Sequence, residues 1–467
     1  MGSPKSEIRM TNQIRMTKSE TFFIGSFGFR ISGFPHPSCY NYRPIAIRML
    51  QSAHIFLMSL YFALPPVVLI ALFAVAHRRG IPAAQVWPKV TVAIATSLLL
   101  GIAASMIYGL WLGGIVPPLQ MALTCYWAAG LICILKGLDF LLDRLARLVF
   151  ATGAGAWKRR QRRSAAQVFR VLLLFVIGLP YMIAAAATYR PNTVQKDESA
   201  WLDAGATRVW FESTDGLLIA GFWTAAPAPL PGDIPNPRWG RKTLLICPGS
   251  RGGKSSYLAL ASRFLDDGYN VLTFDFRAHG QSGGQLVTFG DRERRDVLGA
   301  VRWLRQNHPM ESRRIVAIGV DTGGAALLAA AADPSNQGRA LDALAVIGCY
   351  DRFDQFAASA ARVSFPPPLQ WFIVPVAVPL ACVQTGADLC HFSPAADAAA
   401  VSPRPILFIS GQRDSVITFD RGQSLFDAAN APKSYLWLED LTNDQATGDR
   451  RVANRALHFL NTAVPML

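Results

Sequence analysis

The chain has 467 residues, enough for more than one domain and a core of ordinary size. Apolar residues make up 51% and Asp, Glu, Lys and Arg only 16%, against roughly 25% charged in an average soluble domain; this excludes general disorder and points to sequence placed in lipid. The net charge of +15 suggests a nucleic-acid binder until it is divided: residues 1–189 carry 19 Lys and Arg against 4 Asp and Glu, whereas residues 190–467 carry 27 of each.

Residues 1–48 read as a basic tail with seven Lys or Arg, and Met49, directly ahead of an apolar run, reads as an alternative start. Residues 49–189 then read as a membrane domain. Its apolar stretches are 49–77, 90–135 and 171–189, and Pro117-Pro118 divides the middle one into spans near 90–113 and 119–138. Four spans are therefore expected, because stretches of about 20 residues without a polar face do not suit amphipathic surface helices. The run "WKRRQRRS" around Lys158, with Arg144, Arg147 and Arg170, favours a cytoplasmic loop before the last span, and His77-Arg78-Arg79 favours the same side for the first loop. Residues 190–467 then face outward from a bacterial-type inner or plasma membrane. The stretch "LLDRLARLVF" at 141–150 reads as an interfacial helix on anionic lipid.

Membrane lipid is the partner these features imply. Nucleic acid is not, since the basic cluster is short, lies beside spans and lacks interleaved aromatic residues. No metal-ligand spacing of Cys, His or acids occurs, so neither a metal nor another cofactor is expected. Cys382 and Cys390 are close enough in sequence to close a short loop, or to stand as free thiols.

From residue 190 onward, short apolar runs alternate with helical patterns and Gly/Asp/Asn turns, as in an α/β fold. Strands are expected at 206–213, 216–223, 243–248, 270–275, 315–320, 343–348, 405–410 and 434–438. The first two are antiparallel around "STDG", and the others form a mostly parallel sheet. Helices are expected at 255–266, 291–307, 323–332, 420–430 and 447–460, covering both faces of that sheet. Residues 363–387 carry no charge but include Pro366-Pro367-Pro368, Pro375 and Pro379, which makes them too broken for a good spanning helix. They suit an apolar lid within a cap at 352–400, facing lipid or a small apolar or acyl ligand.

The succession "TLLICPGSRGG", "DFRAHGQSGG", "GVDTGG" and "PILFISGQRD" resembles the α/β-hydrolase family, particularly membrane-attached members with a serine-aminopeptidase-like or acyl-hydrolase domain, over about residues 205–462. The resemblance implies hydrolysis of an ester, amide or other acyl substrate of apolar character. Such enzymes present Gly-x-Ser-x-Gly at a sharp strand-to-helix turn. Here the elbow reads Gly319-Val320-Asp321-Thr322-Gly323, with aspartate in the serine's place. Haloalkane dehalogenases and epoxide hydrolases use an aspartate there to form a covalent ester, and they still need a histidine to activate water. By the same resemblance Asp414 is the acid, and the backbone N–H groups of Ser250 and Thr322 are the oxyanion donors.

The usual histidine is missing. The stretch "YLWLEDLTNDQATGD" has Thr442 or Asn443 near the expected place, and neither is a near-neutral base. His279, His391, His308 and His458 remain as relocated bases, and Glu439 or Asp440 as carboxylate ones. The loop "GSRGGKSS" is glycine-rich but lacks phosphate-loop spacing. The alternative to a hydrolase is a catalytically inactive homologue acting as a ligand-binding or scaffolding module in the membrane. A transporter fits less well, because the expected spans hold few ionisable residues.

Overall fold

The computed structural model describes residues 63–112, 174–190, 198–227 and 241–464, together with isolated residues between 125 and 172. The tail 1–48, residues 49–62 of the first expected span, nine of the 20 residues of the expected span 119–138, the stretch 141–150 apart from Arg144, and the basic cluster near Lys158 lie outside the described residues.

In the first half, helix α1 (Ala83–Leu112) runs for 30 residues. It begins well before the expected span near 90–113, and it leaves apolar side chains such as Leu99 (70% exposed) and Val92 uncovered. Further on, a π-helical turn (Leu174–Gly178) leads into α2 (Leu179–Thr188). This apolar segment is only 14 residues, Phe175–Thr188, shorter than the span expected at 171–189. Two described helices are long and apolar enough to cross a membrane, Ala84–Ala103 within α1 and Pro367–Thr385. The second runs unbroken through Pro375 and Pro379, so the prolines do not interrupt it as expected.

The short helix α3 (Ser199–Asp203) precedes the sheet. Eight strands follow: β1 (Thr207–Glu212), β2 (Leu218–Thr224), β3 (Lys242–Cys247), β4 (Asn270–Phe274), β5 (Arg314–Val320), β6 (Leu341–Ile347), β7 (Ile406–Gly411) and β8 (Lys433–Leu438). Their order is β1-β2-β4-β3-β5-β6-β7-β8, with β1–β2 and β2–β4 antiparallel and all later pairs parallel.

Strands β3 to β7 are buried on both faces, which is why they read as continuous apolar runs rather than alternating ones. Period-2 geometry sends Leu245, Ala317, Leu344 and Phe408 into one core and Leu244, Val316, Ala345 and Leu407 into the other. Each fully buried leucine contributes about 2 kcal/mol of transfer free energy. Helices α4 (Leu258–Leu265) and α11 (Arg450–Ala463) cover the second core. The first is covered by α5 (Arg294–Asn307), α6 (Thr322–Ala332), α9 (Pro394–Val401) and α10 (Phe419–Ala428).

Between β6 and β7 the chain adds α7 (Phe353–Ser364) and α8 (Pro367–Thr385) ahead of α9. Helix α8 tolerates its first prolines because the opening turn has no intrahelical N–H partners to lose. Pro375 and Pro379 lie inside it, and it continues past both until Gly386, in left-handed geometry at φ 66°, ends it. Packing against α2 and α7 holds the helix together where propensity alone would break it. At its end Cys382 and Cys390 are free thiols with sulfurs 3.2 Å apart.

Candidate functional site

Parallel register brings Cys247 of β3 beside Gly319 of β5, and Gly319 beside Val346 of β6. The loops leaving these strands therefore meet at the carboxyl edge of the sheet, where α/β folds place ligands. Asp321 turns the chain from β5 into α6 with φ 51° and ψ −122°, a conformation costly for any residue with a side chain. Two glycines make this turn possible. A Cβ on Gly319 would lie 2.6 Å from the Gly324 Cα, and one on Gly323 would strike the Pro248 carbonyl. The turn is pinned by Asp321 N–H donating to the Ile347 carbonyl at 2.9 Å and by Gly324 N–H donating to the Asp321 carbonyl at 3.0 Å.

The opposing loop follows β3. Gly249 N–H donates to the Tyr257 hydroxyl at 3.0 Å, and a Cβ on Gly249 would lie 3.2 Å from that of Asp321. Ser250 closes on the elbow with two donors: its Oγ–H lies 2.7 Å and its N–H 3.2 Å from Asp321 Oδ2. The backbone donor expected to hold an oxyanion is thus given to the carboxylate at the nucleophile position. Sequence reasoning named only the Ser250 N–H and missed the hydroxyl, although a serine directly after Pro248-Gly249 was its visible signal.

Burial pushes the Asp321 carboxyl above its ordinary range, and the two Ser250 hydrogen bonds only partly counter this. An acid whose folded-state pKa is raised costs the fold stability once pH climbs past the ordinary carboxylate value of about 4. Asp321→Asn keeps an oxygen for both Ser250 donors and removes the charge. It is expected to melt above the wild type at pH 7, with the gap closing as pH falls towards 4, as thermal unfolding across that range would show.

Asp414 does follow β7, but its carboxylate is committed. Oδ1 accepts the N–H groups of Val416 and Ile417 at 3.0 and 2.9 Å, and Oδ2 accepts that of Asn443 at 3.2 Å. Its partners are backbone, where the resemblance expects an imidazole. Asn443 is buried, and its side chain ties the end of β7 to the loop after it by accepting from Gly411 N–H at 2.8 Å and donating to the Ile417 carbonyl at 3.1 Å. Thr442 caps the short turn Asn443–Ala446. Neither is free to act as a base.

All four histidines after residue 190 are described, and none bonds to Asp321 or Asp414. His279 comes nearest, because its Nε2 is 3.2 Å from the Ser250 carbonyl. Its Nδ1 lies 2.9 Å from the Arg277 carbonyl and its Nε2 3.3 Å from an Arg190 guanidinium nitrogen. Burial lowers its pKa. The arrangement fits a neutral ring that donates from Nδ1 and accepts from Arg190. His391 is paired with Asp388, His308 stacks on Trp223 at 4.0 Å, and His458 is exposed on α11 rather than packed as a core residue. Glu439 is exposed, and Asp440 pairs with Arg451. Asp444 and Arg251, 3.6 Å apart and exposed, are felt electrostatically at Asp321 and were not singled out from sequence.

The glycine-rich loop holds a second surprise. Lys254 is 4% exposed, and its Nζ sits 2.7 Å from Glu198 Oε1 and 2.8 Å from Asp275 Oδ2. Its own N–H donates to Asp275 Oδ1 at 2.8 Å. Trp201 of α3 donates from Nε1 to the Ser255 carbonyl, and Arg190 donates to that of Ser250. The segment between α2 and β1 therefore grips the loop facing the elbow at three places. Among the described residues no group of three or more His, Cys, Asp or Glu could hold a metal ion.

Residues 176–371 match the family described as X-Pro dipeptidyl-peptidase (S15 family). The chain is 31% identical to the protein YqkD of Bacillus subtilis over 232 residues, which cover 49% of this chain and 70% of YqkD. It belongs to the same family as YqkD. YfhR of Escherichia coli K12 is a more distant relative, 25% identical over 60% of this chain and 88% of its own. Among solved structures, an esterase of Pyrococcus furiosus aligns with a TM-score of 0.47 and 20% identity, over 59% of this chain and 97% of its own. The fold of this YqkD relative is α/β-hydrolase-like, with a largely parallel sheet between helices.

Proposed function

We propose that this protein is a membrane-attached α/β-hydrolase-like module that binds a ligand or partner and does not turn over esters or amides. The carrying observation is the closed hydrogen-bond set at the elbow: both Ser250 donors end on Asp321, and among the described residues no histidine reaches Asp321 or Asp414. A general base contributes about 10²–10⁴-fold where it is present, and among the described residues none is in place. Residues 49–189 serve as the anchor, residues 190–467 as the hydrolase-like domain and 352–400 as a cap over a small apolar or acyl ligand. The basic residues near Lys158 favour placing the domain on the outer face.

Full-length protein in phospholipid vesicles is expected to hydrolyse p-nitrophenyl butyrate no faster than empty vesicles and to take no fluorophosphonate label, while binding a fluorescent fatty acid saturably. Turnover that Asp321→Asn abolishes would overturn this reading.

One observation favours a second reading. Ser250 occupies only Oδ2 of Asp321, and among the described residues Oδ1 accepts no hydrogen bond. Oδ1 could attack an alkyl halide, forming an Asp321 ester as the halide leaves, and without a water-activating base the ester would persist. Intact mass after incubation with 1-chlorohexane separates the two: an added hexyl group, absent in Asp321→Asn, supports the covalent reading.

A further inference from the structure

We propose that the tip of the α7–α8 hairpin, residues 363–372, is inserted in the acyl region of the bilayer, beside the apolar segment 175–182. The proposal rests on membrane attachment of the chain and is independent of the loss of catalysis.

The whole stretch 363–387 lacks a charged side chain. Its second half packs into the domain, with Ile373, Ala377, Val378, Ala381 and Cys382 buried in the first core. Its first half is covered on one side only: Phe365, Leu369 and Phe372 pack half-buried against that core, while Trp371 is 80% exposed and Val363 58%. Helix α8 lies along α2, with Phe372 and Phe175 rings 5.0 Å apart and Gln384 Nε2 donating to the Tyr181 carbonyl at 3.1 Å. On the α2 side Phe175, Val176, Ile177 and Met182 are exposed as well. The ring contact joins the two sets into one uncharged surface that is continuous with the stretch at 171–189.

Water is a poor solvent for this surface, since large exposed apolar patches on folded proteins mark an interface. The bilayer is the occupant that the neighbouring segment itself selects. Tryptophan at the exposed end suits the lipid boundary. Burial of the C-terminal half of α8 in the domain means the hairpin enters the bilayer without crossing it, like an interfacial element.

The test places an environment-sensitive fluorescent amino acid singly at positions 371, 92 and 310 of the full chain, in vesicles of phosphatidylcholine and phosphatidylglycerol. Trp371, Val92 and Met310 are all exposed, so these replacements leave the cores untouched. Emission from position 371 is expected to be blue-shifted and quenched more than twofold by lipids brominated on their acyl chains, as at position 92 in α1, while position 310 stays water-like and unquenched. If position 92 is quenched and 371 is not, the insertion is wrong and membrane attachment stands. A blue shift at 371 without bromolipid quenching would point to cover by protein and also overturn it. Loss of quenching at both positions would remove the attachment on which the proposal rests.

Discussion

Replacing Lys254 with methionine is expected to destabilise the hydrolase-like domain by about 3–5 kcal/mol, the cost of breaking a buried ion pair from one side. The substitution keeps the aliphatic stem and removes the cation that bridges two buried acids. Asp275 would retain Gln281 N–H at 3.2 Å and the backbone N–H of residue 254, and Glu198 would retain Arg208 at 2.8 Å. Neither set neutralises both carboxylates. Burial pushes the Glu198 carboxyl up, yet the hydrogen bonds from Lys254 and Arg208 outweigh it and hold the group below its ordinary value. An acid with a depressed folded-state pKa contributes stability that is present above its unfolded value of about 4 and lost as pH falls below it. The cost of Lys254→Met should therefore shrink in acid. Chemical denaturation of detergent-solubilised chain, followed by tryptophan fluorescence at pH 7 and pH 4, measures both effects. Adding Glu198→Gln to the variant is expected to cost less than the two single changes together, since both sit in one network. A loss under about 1 kcal/mol at pH 7 would mean that solvent screens the pair and that the loop does not depend on it.

The contrast between what was legible in the sequence and what was not follows the range of the interactions. The eight strands emerged within a residue or two, and β3 to β7 did so because buried parallel strands need unbroken apolar runs, which "TLLIC" or "RIVAIGV" supplies locally. The elbow was legible for the same reason, since Gly319 and Gly323 are demanded by contacts within one turn and the adjoining strand. Helix α8 was not: its prolines argue against it locally, and the packing that sustains it comes from α2, nearly two hundred residues earlier in the sequence. Lys254 was read against a phosphate loop because its real partners, Glu198 and Asp275, are brought in by other elements. Asp414 shows the converse. Its position after β7 was legible, and Val416 and Ile417 are local partners, but the third, Asn443, depends on how the 439–446 loop folds back, which no spacing rule reports.

Asp321→Ser would restore the family's elbow sequence, and it is expected to leave ester hydrolysis undetectable. Serine triads act as units: in a complete one, removing the serine or the histidine alone costs about as much as removing all three members, roughly 10⁶-fold in turnover. A serine at 321 would therefore start from almost nothing. Its Oγ would stand near Ser250 Oγ, and its proton would have no acceptor poised to take it. Asp414 cannot supply one indirectly, because its two oxygens hold the N–H groups of Val416, Ile417 and Asn443. His279 is committed elsewhere, against the Arg277 and Ser250 carbonyls and Arg190. The donors freed by losing the Asp321 carboxylate would leave the Ser250 N–H able to hold an oxyanion, so the variant isolates the base as the missing part. The measurement is p-nitrophenyl butyrate hydrolysis and fluorophosphonate labelling of the reconstituted variant beside the wild type. Fast labelling at residue 321, with a pH profile rising through the histidine range, would reveal a base that moves into place and would overturn the non-catalytic reading. Absence of both signals, with the fold retained by thermal unfolding, would locate the loss of chemistry in the loop where Asn443 stands.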